Sequence, residues 1–362
     1  MEAVAYFIRT FKDKVTNSFF SMKAWLLDSR SDLRSAFAPL KRAELPIPIP
    51  RDSQVLVRIK CCGICHTEMD EIEGRLPPSM LPIIPGHQVV GVVEQSGAGC
   101  QMIKKGDRVG IAWIFLACGN CQFCLEGREN LCSNFMGTGK DAHGGYAEYM
   151  VVDEAFAFRL PDNIPDIHVA PLLCAGAIGY RSLKLSGIRN GETLGLSGFG
   201  ASGHLVLKTA KVLFPKSEIL VFARSREERN LAKYLGATWS GDFDETPPMF
   251  SQAIIDTTPV WLPLLLSLAN LKPGGKLIIN AIRKESIDQS QLLCLSYDRH
   301  LWMEKEIKSV ANITRDDVVE FLSIAATHAI RAEIETYNFE NANQALFDLK
   351  NVPGRGAKVL VM

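Results

Sequence analysis

The sequence lacks net charge and lacks any long apolar segment. Lys plus Arg and Asp plus Glu each number 40 among 362 residues, which gives no indication of nucleic acid, a membrane surface or a strongly charged substrate as a partner. It has no apolar run long enough to cross a bilayer and no clear signal peptide. Its ten cysteines therefore do not suggest a secreted disulfide framework. We expect a reducing, cytoplasmic compartment in which clustered cysteines bind metal.

Two domains are expected, because the length exceeds what one hydrophobic core usually supports. Residues 1–21 mix aromatic and basic side chains and are interpreted as an N-terminal arm, with the first domain beginning at Met22. Short apolar runs over 55–59, 89–93 and 107–111 are separated by turn residues. This spacing predicts a partly closed antiparallel barrel.

Donor atoms suited to a catalytic metal occur in the first half of the chain. Cys65 and His87 offer a thiolate and an imidazole, which zinc prefers. A catalytic zinc takes three protein ligands and leaves one position for water or substrate, and Cys174 is the best candidate for the third ligand. Taken singly, Cys65 and His87 would more often be packing residues. The neighbouring patterns favour the zinc site.

A second cysteine cluster gives the more specific metal signal. Cys118, Cys121 and Cys124 are each separated by two residues, and Cys132 follows after seven more. Four thiolates in such close order can complete a tetrahedral zinc with no vacant position, which is typical of a structural site. Such a site could also belong to a nucleic-acid or protein interaction module, but neither a basic face nor interleaved aromatic residues accompany it.

The second half of the chain carries a dinucleotide-binding pattern. A predicted strand over 192–197 leads into a glycine-rich turn, and helical apolar spacing follows over 204–212. This context places backbone amides at a helix N-terminus against a pyrophosphate. The predicted cofactor contacts in the turn are Gly198, Gly200, Ala201, Ser202 and Gly203. Further strand-like runs predict a parallel, doubly wound sheet; they lie at 219–222, 253–256 and 275–280.

The carboxylate that would hold the ribose of NAD is missing. In NAD-binding domains it lies about 20 residues beyond the turn, where this chain has Ala223, followed by Arg224 and Ser225. No carboxylate repels a 2′-phosphate there, and Arg224 offers a planar donor group suited to one. NADP(H) is therefore favoured over NAD(H), with Arg224 and Ser225 as cofactor-binding residues. The alternative is that Arg224 is a solvated surface residue.

The connections between the two halves are predicted from apolar spacing. The segment 167–188 is apolar with small residues and is predicted to be one helix that joins the domains. A helix is expected over 315–329, and a last strand over 356–361 is expected to return to the first domain.

With both cysteine sets and the dinucleotide turn in this order, the chain resembles the zinc-containing medium-chain alcohol dehydrogenases. The resemblance extends from Met22 to Met362 and is greatest to their NADPH-using, cinnamyl-alcohol-dehydrogenase-like branch. It implies an α/β fold with a GroES-like β-barrel catalytic domain (22–172 and 315–362) and a Rossmann domain (173–314). It also implies an active site in the cleft between the domains, and homodimers or homotetramers.

The resemblance also implies two zinc ions per chain, one catalytic at Cys65, His87 and Cys174 and one structural at the Cys118 cluster. Thr67 would pass a proton between the substrate oxygen and solvent. The remaining implied roles fall to residues around these: His66 would contact the cofactor pyrophosphate, and Glu68 would orient His87.

Two positions depart from the pattern of the family. Gln88 follows the ligand histidine where relatives commonly have Glu, which weakens any role of that carboxylate in ligand exchange here. Asp70 occupies the position of the usual relay histidine; it can accept a proton, but in a different pH range.

The function expected from these residues is a zinc-dependent alcohol dehydrogenase or aldehyde reductase acting on a primary alcohol or aldehyde with NADP(H). Trp113 and Ile114 are predicted to wall an apolar substrate pocket, although Trp113 is equally suited to the core. One alternative is a zinc-free quinone or enone reductase, against which both cysteine sets argue. The other is a non-catalytic zinc-stabilised binding protein, against which the complete catalytic set argues.

Five residues are given secondary interpretations. Arg355 could reach a cofactor phosphate or be a solvated loop residue. The other four are taken as structural thiols: Cys61, Cys62, Cys100 and Cys294.

Overall fold

The computed structural model describes residues 21–33, 37–352 and 356–362. The predicted arm, apart from Ser21, lies outside the described residues, and so does Arg355. In chain order the strands are β1 (Ser21–Leu26), β2 (Lys41–Pro46), β3 (Gln54–Ile64), β4 (Gln88–Ser96), β5 (Arg108–Ile111), β6 (Ile114–Leu116), β7 (Met136–Gly137), β8 (Tyr149–Asp153), β9 (Ala157–Arg159), β10 (Leu194–Ser197), β11 (Ile219–Phe222), β12 (Trp239–Gly241), β13 (Ser251–Asp256), β14 (Leu271–Ile279), β15 (Glu306–Ser309), β16 (Ile334–Asn338) and β17 (Ala357–Val361).

The α-helices are, in chain order, α1 (His66–Ile72), α2 (Gln122–Leu125), α3 (Asp166–Val169), α4 (Ala175–Ser186), α5 (Ala201–Leu213), α6 (Arg226–Tyr234), α7 (Leu262–Ala269), α8 (Arg315–Thr327) and α9 (Ala342–Asn351). Among the described residues no helix is both long and apolar enough to span a membrane.

The first sheet forms the barrel predicted from the short apolar runs. Its strands lie in the order β16-β17-β3-β4-β5-β9, and β8 also pairs with β3. All of these pairs except β16 with β17 are antiparallel. The last strand returns to this sheet as predicted, since Leu360 pairs with Cys62 of β3. Residues from both ends of the chain therefore build the sheet that carries Cys65.

The second sheet is parallel and doubly wound, as predicted. Its order is β12-β11-β10-β13-β14-β15. The chain adds β11 and β12 on one side of β10, and then β13, β14 and β15 on the other side. Every residue of β10 and β11 is buried, because helices cover both faces of a parallel sheet. Cofactors bind at the carboxyl ends of the two strands where the order reverses, which here are Ser197 and Asp256. The α/β class with a GroES-like barrel and a Rossmann sheet is confirmed; the boundaries at 172/173 and 314/315 stay predictions.

The single helix predicted over 167–188 is wrong. The chain instead forms α3, a 3₁₀ turn over Ala170–Leu173, and then α4. Pro171 has no N–H to donate to a helix, and Cys174 adopts φ −128° and ψ −76°, outside the helical region. The break places Cys174 immediately before a new helix, so its side chain is fixed at the junction of the two halves.

The helix predicted over 315–329 begins where expected but ends earlier. The Thr314 hydroxyl accepts a hydrogen bond from the Asp317 N–H, and the Asp317 carboxylate accepts one from the Thr314 N–H. This reciprocal cap fixes the first turn of α8. The helix ends at Thr327, and Ala329 has φ 51°, a left-handed conformation that does not continue a helix.

Candidate active site

Cys65 lies at the junction between β3 and α1. Its backbone is extended, with φ −130° and ψ 164°, and it forms the N-cap of α1. Its N–H donates to Glu68 Oε2 at 2.7 Å, so the third residue of the helix satisfies one of the unpaired donors at its start. The Cys65 thiol is therefore held by a capped helix turn.

His87 precedes β4 and is 1% exposed. Its Nδ1 lies 2.6 Å from Glu68 Oε1, so Glu68 fixes both the Cys65 backbone and the His87 ring. A carboxylate on Nδ1 leaves Nε2 free to bind a metal, and His87 Nε2 lies 3.2 Å from Cys174 Sγ. The structure thus brings Glu68 to the position that the sequence predicted for it.

The candidate ligand atoms of Cys65, His87 and Cys174 all lie within 4.8 Å of one another. Zinc binds thiolate sulfur at about 2.3 Å and imidazole nitrogen at about 2.0–2.1 Å, which puts tetrahedral neighbours about 3.5–3.8 Å apart. The close spacing, two thiols and one oriented imidazole fit a zinc ion with one position left for another ligand.

Protonation in this cluster is set by burial and by mutual contacts. A hydrogen bond from Cys174 lowers the pKa of the Cys65 thiol well below its usual range. Burial alone would lower the pKa of His87, but the charges of Glu68 and Cys65 raise it well above its usual range. Cys65 is thus the thiol most readily available as a thiolate, the form that binds metal.

Thr67, His66 and Asp70 all lie on α1, directly after Cys65. Thr67 Oγ1 lies 3.6 Å from Cys65 Sγ, beside the candidate metal ligands, whereas His66 is exposed at the first helical position. Asp70 is buried, and its Oδ1 accepts hydrogen bonds from Arg75 Nε at 2.7 Å and Arg283 Nε at 3.0 Å. The proton-acceptor role of Asp70 stays a prediction, and the geometry supplies an ion-pair role beside it.

Gln88 and Glu71 complete the surroundings of His87. Gln88 is 2% exposed and begins β4, where its side chain covers Gly63 of β3 so closely that a Cβ at Gly63 would lie 2.9 Å from it. Glu71 is 1% exposed, and neither of its carboxylate oxygens has a hydrogen-bond partner among the described residues. Burial, and then the charge of Glu68, raise the pKa of Glu71 well above its usual range. Sequence analysis missed Glu71 because it reads as an ordinary helix surface residue.

Trp113 and Ile114 differ in their placement. The Trp113 and His87 ring centroids are 6.3 Å apart in an edge-on arrangement, and Phe135 lies 5.7 Å from Trp113. Ile114 is fully buried in the core, so the prediction that it walls a substrate pocket is wrong. Trp113 lies in the bend before β6, whereas Ile114 is the first residue of that strand.

The glycine-rich turn has the geometry that its sequence predicted. Gly198 has φ 86°, and a Cβ there would lie 2.6 Å from Thr257 Oγ1. A Cβ on Gly203 would lie 2.6 Å from the Gly198 carbonyl oxygen, so only glycine allows this approach of helix and turn. Nothing lies within 4 Å of the Cβ position of Gly200, which leaves the mouth of the turn open. Ala201 begins α5 there, and its free backbone amides suit a phosphate.

Arg224 follows β11 and is exposed, and its guanidinium has no hydrogen bond or ion pair within the described part of the chain. Ser225 caps α6, its hydroxyl accepting from Glu228 N–H at 3.1 Å. Arg229, which sequence analysis did not single out, donates to the carbonyls of Ala223 and Arg224 at 2.8 and 2.9 Å. Arg229 therefore fixes the backbone of this loop, while the Arg224 side chain is exposed to solvent.

The second cysteine cluster also comes together. Its Sγ–Sγ distances are 3.5 Å from Cys121 to Cys124, 3.5 Å from Cys132 to Cys118 and 3.9 Å from Cys118 to Cys124. Four thiolates around one zinc at about 2.3 Å would lie about 3.8 Å apart, so this set fits a closed tetrahedral site. Hydrogen bonds from the Asn120 and Cys121 amides lower the pKa of Cys118 to about 6.

The four remaining cysteines are placed differently from one another. Cys61 and Cys62 are buried, as expected of structural thiols, and burial raises the pKa of Cys61 to about 12. Cys100 is half-buried and donates to the Gln54 carbonyl at 3.3 Å. Cys294 is exposed, so its prediction as a packed thiol is wrong.

Sequence analysis also missed a polar network at the carboxyl ends of β10 and β13. Lys284 Nζ lies 2.5 Å from Asp256 Oδ2 and donates to the Thr258 carbonyl at 2.8 Å. Asp256 Oδ1 accepts from Ser197 Oγ at 2.8 Å. No pattern in the sequence indicates this pairing, because the two charged residues lie far apart along the chain.

Comparisons with known proteins agree with this fold. Residues 51–162 match the model of the alcohol dehydrogenase GroES-like domain. The chain is 40% identical to a probable alcohol dehydrogenase, AdhA, of Mycobacterium tuberculosis over 94% of this chain and 98% of the relative. It is 31% identical to cinnamyl alcohol dehydrogenase 8 of Arabidopsis thaliana over 84% of this chain and 86% of the relative. The crystal structure of CAD from Helicobacter pylori complexed with NADP(H) superimposes with a TM-score of 0.82 at 25% identity, covering 95% of this chain and 98% of that chain.

Proposed function

The chain belongs to the alcohol dehydrogenase family, and we propose that it is a zinc-dependent enzyme that interconverts primary alcohols and aldehydes with NADP(H). The observation that carries the proposal is the convergence of Cys65, His87 and Cys174 within 4.8 Å, with the Thr67 hydroxyl beside them. Three ligands of this kind leave one coordination position for the substrate oxygen. A purely structural site would be closed, as the Cys118 cluster is.

The side chains around the site have separate tasks in this reaction. Zinc, when bound, supplies a Lewis acid that polarises the carbonyl oxygen, and NADPH supplies the hydride. Glu68 keeps the His87 ring in the tautomer and orientation that expose Nε2. In aldehyde reduction Thr67 donates its hydroxyl proton to the oxygen and recovers a proton from solvent, which balances the hydride added at carbon. Trp113 gives the site an apolar wall suited to a hydrocarbon substituent.

The cofactor is expected to lie along the carboxyl ends of β10 and β11. The amides at the start of α5 would hold the pyrophosphate and Arg224 the 2′-phosphate, with Ser225 shaping the same loop and the exposed His66 facing the pyrophosphate from α1. Support for NADP(H) comes from the exposed guanidinium of Arg224, which has no partner among the residues that the structure describes, and from the absence of a carboxylate at Ala223. The resemblance to a CAD complexed with NADP(H) is in the same direction.

The function is tested with purified, zinc-replete protein and a panel of aliphatic and aromatic aldehydes. We expect turnover with NADPH that is lost after both zinc ions are chelated and recovered when zinc is restored. Circular dichroism and thermal melting before and after chelation separate loss of the catalytic zinc from loss of fold. Absence of turnover over the whole panel in a folded protein with two zinc ions per chain would contradict the proposal.

Arg224→Gln is expected to lower kcat/KM for NADPH by about 10- to 100-fold while changing that for NADH by less than about threefold. The reason is the loss of one charge-assisted contact to the 2′-phosphate, which NADH lacks. The matched control is Arg226→Gln, because Arg226 is also exposed and lies two residues further on. Initial rates with both cofactors measure the ratio. An equal loss with NADPH and NADH would overturn the assignment of Arg224.

The oligomer implied by the family is proposed to form through β15. All residues of this edge strand, Ile307 included, are exposed, and the large apolar side chains of Trp302 and Met303, just before it in the chain, are exposed as well. An edge strand leaves backbone donors and acceptors unpaired, so a second copy of the chain could extend the sheet there. Sedimentation velocity that gives a monomer at micromolar concentration would contradict a dimer or tetramer.

A further inference from the structure

We propose that Arg283 is a positioning residue that ties the nucleotide-binding side of the cleft to helix α1 through its ion pair with Asp70. The inference rests on the proposed function, because it concerns where Thr67 lies relative to the bound cofactor. Within the described part of the chain Arg283 makes no hydrogen bond or ion pair with the candidate metal ligands; it acts through Asp70, which lies three residues after Thr67 on the same helix.

The contact between Arg283 and Asp70 is sheltered. Their Nε and Oδ1 atoms are 3.0 Å apart, and the side chains are 21% and 8% exposed. Asp70 also binds Arg75, whose Nη2 lies 2.6 Å from the same oxygen. Arg75 lies three residues after the end of α1, so its contact remains within one segment, whereas Arg283 lies in the loop after β14 of the parallel sheet. Of these two contacts, only that of Arg283 crosses from one half of the molecule to the other.

The loop that carries Arg283 is fixed on both sides of it. Before it, Asn280 N–H donates to the Asp256 carbonyl at 2.8 Å and Asn280 Nδ2 donates to Ser202 Oγ at 3.2 Å. After it, the Lys284 side chain is 7% exposed and lies 2.5 Å from the Asp256 carboxylate. Because the loop is held on both sides of Arg283, this residue has a fixed position relative to the parallel sheet. Its ion pair then fixes the position of Asp70 relative to that sheet.

The same hydrogen bonds continue to the other side of the candidate metal site. Ser202, in the first turn of α5, donates from its hydroxyl to the Ala175 carbonyl at 3.3 Å, and Ala175 follows Cys174. Asn280 and Ser202 thus connect the Arg283 loop with the phosphate-binding turn and with one of the candidate ligands. The ion pair between Arg283 and Asp70 reaches α1, the helix that follows Cys65. The network therefore lies on both sides of the cleft.

A link of this kind has a kinetic consequence. Hydride transfer requires donor and acceptor atoms within about 3–3.5 Å, and a displacement of about 1 Å can cost on the order of 100-fold in rate. Without Arg283, helix α1 would keep its fold through Arg75 and Glu68, but its distance from the nicotinamide would be less restricted. The rate of the hydride step is therefore expected to fall more than the affinity for the cofactor.

The test compares Arg283→Gln, Asp70→Asn and their double variant in single-turnover oxidation of bound NADPH by an aldehyde. We expect each single variant to slow hydride transfer about tenfold, and the double variant to be no slower than either single variant, since all three remove the same link. Arg75→Gln is the matched control, because it removes one guanidinium partner of Asp70 but keeps the ion pair between Asp70 and Arg283. Its rate of hydride transfer is expected to stay within twofold of that of the unmodified protein. Arg283→Lys is expected to restore part of the rate.

A second measurement does not depend on turnover. Binding of NADP+ is expected to slow amide hydrogen exchange in α1 of the unmodified protein, and Arg283→Gln is expected to abolish that protection while zinc content and melting temperature stay unchanged. A slow Asp70→Asn variant beside a normal Arg283→Gln variant would overturn the proposal in favour of proton relay at Asp70. Multiplying effects in the double variant, or α1 protection that survives Arg283→Gln, would also overturn it. If the proposed function itself were wrong, no variant would show turnover, but the amide-exchange measurement would still test the link between Arg283 and α1.

Discussion

Replacing Cys174 by serine is expected to lower the rate of aldehyde reduction by about 10³-fold, because polarisation of the carbonyl by a bound zinc is worth several kcal/mol. Serine keeps the shape of the side chain but does not offer a thiolate at neutral pH. Cys65 and His87 alone would then hold zinc weakly. Initial rates with NADPH, together with metal analysis, measure the effect: zinc is expected to fall from two ions per chain to about one.

Cys100→Ser is the control for this substitution. Cys100 is half-buried and its thiol donates to the Gln54 carbonyl, a contact that a serine hydroxyl can make as well. We expect its activity and zinc content to match those of the unmodified protein. If Cys174→Ser retained both zinc ions and more than about a tenth of the activity, Cys174 would not be the third ligand, and the adjacent His87 and Cys65 would need another partner.

The convergence of the candidate metal ligands and the order of the two sheets could be predicted because they depend on residue type and on spacing along the chain. Cys118, Cys121, Cys124 and Cys132 are close in sequence, so their convergence needs only one turn and one short loop. The glycine-rich turn carries its own conformational requirement, seen in the positive φ of Gly198. Such local patterns can be recognised in the sequence without knowledge of the rest of the fold.

Features that depend on contacts between distant residues could not be predicted in this way. Asp70 and Arg283 are far apart in the chain, and no pattern in the sequence pairs them; only the packing of α1 against the loop after β14 brings them within 3.0 Å. The helix break at Cys174 was missed for a related reason. Apolar spacing over 167–188 suits a helix, and tertiary contacts decide whether Pro171 interrupts it.

Ile114 shows the limit for substrate specificity. It is adjacent in sequence to Trp113, yet it is fully buried while Trp113 lies beside His87. Trp113 lies in the bend before β6 and Ile114 begins that strand, and packing with distant segments decides which of the two side chains enters the core. The sequence therefore predicts which residue types converge better than it predicts which side chains lie around them.

Replacing Cys121 by serine is expected to release the structural zinc and to lower the melting temperature on the order of 10 °C, because a closed four-thiolate zinc contributes folding free energy directly. Within the cysteine-rich segment 118–132, here called the zinc lobe, no residue of α2 is buried, so the metal is expected to hold this helix in place. Calorimetry and metal analysis measure the effect, with zinc expected to fall to about one ion per chain. Glu126→Gln is the matched control, because Glu126 is exposed in the same lobe and its carboxylate pairs, among the described residues, only with its neighbours Gln122 and Arg128.

The loss of stability in the Cys121→Ser variant is expected to extend beyond the zinc lobe. Glu129, three residues before Cys132, binds the Arg315 side chain and backbone N–H at 2.9 Å, and Asn130 donates to the Ala311 carbonyl at 2.6 Å. These contacts join the zinc lobe to the start of α8 and to the end of the parallel sheet. We therefore expect Cys121→Ser to increase amide exchange at the start of α8, while Glu126→Gln leaves it unchanged. If melting temperature fell but exchange in α8 stayed as before, the lobe would stabilise only itself, and its contacts to Arg315 and Ala311 would have no part in holding the two halves together.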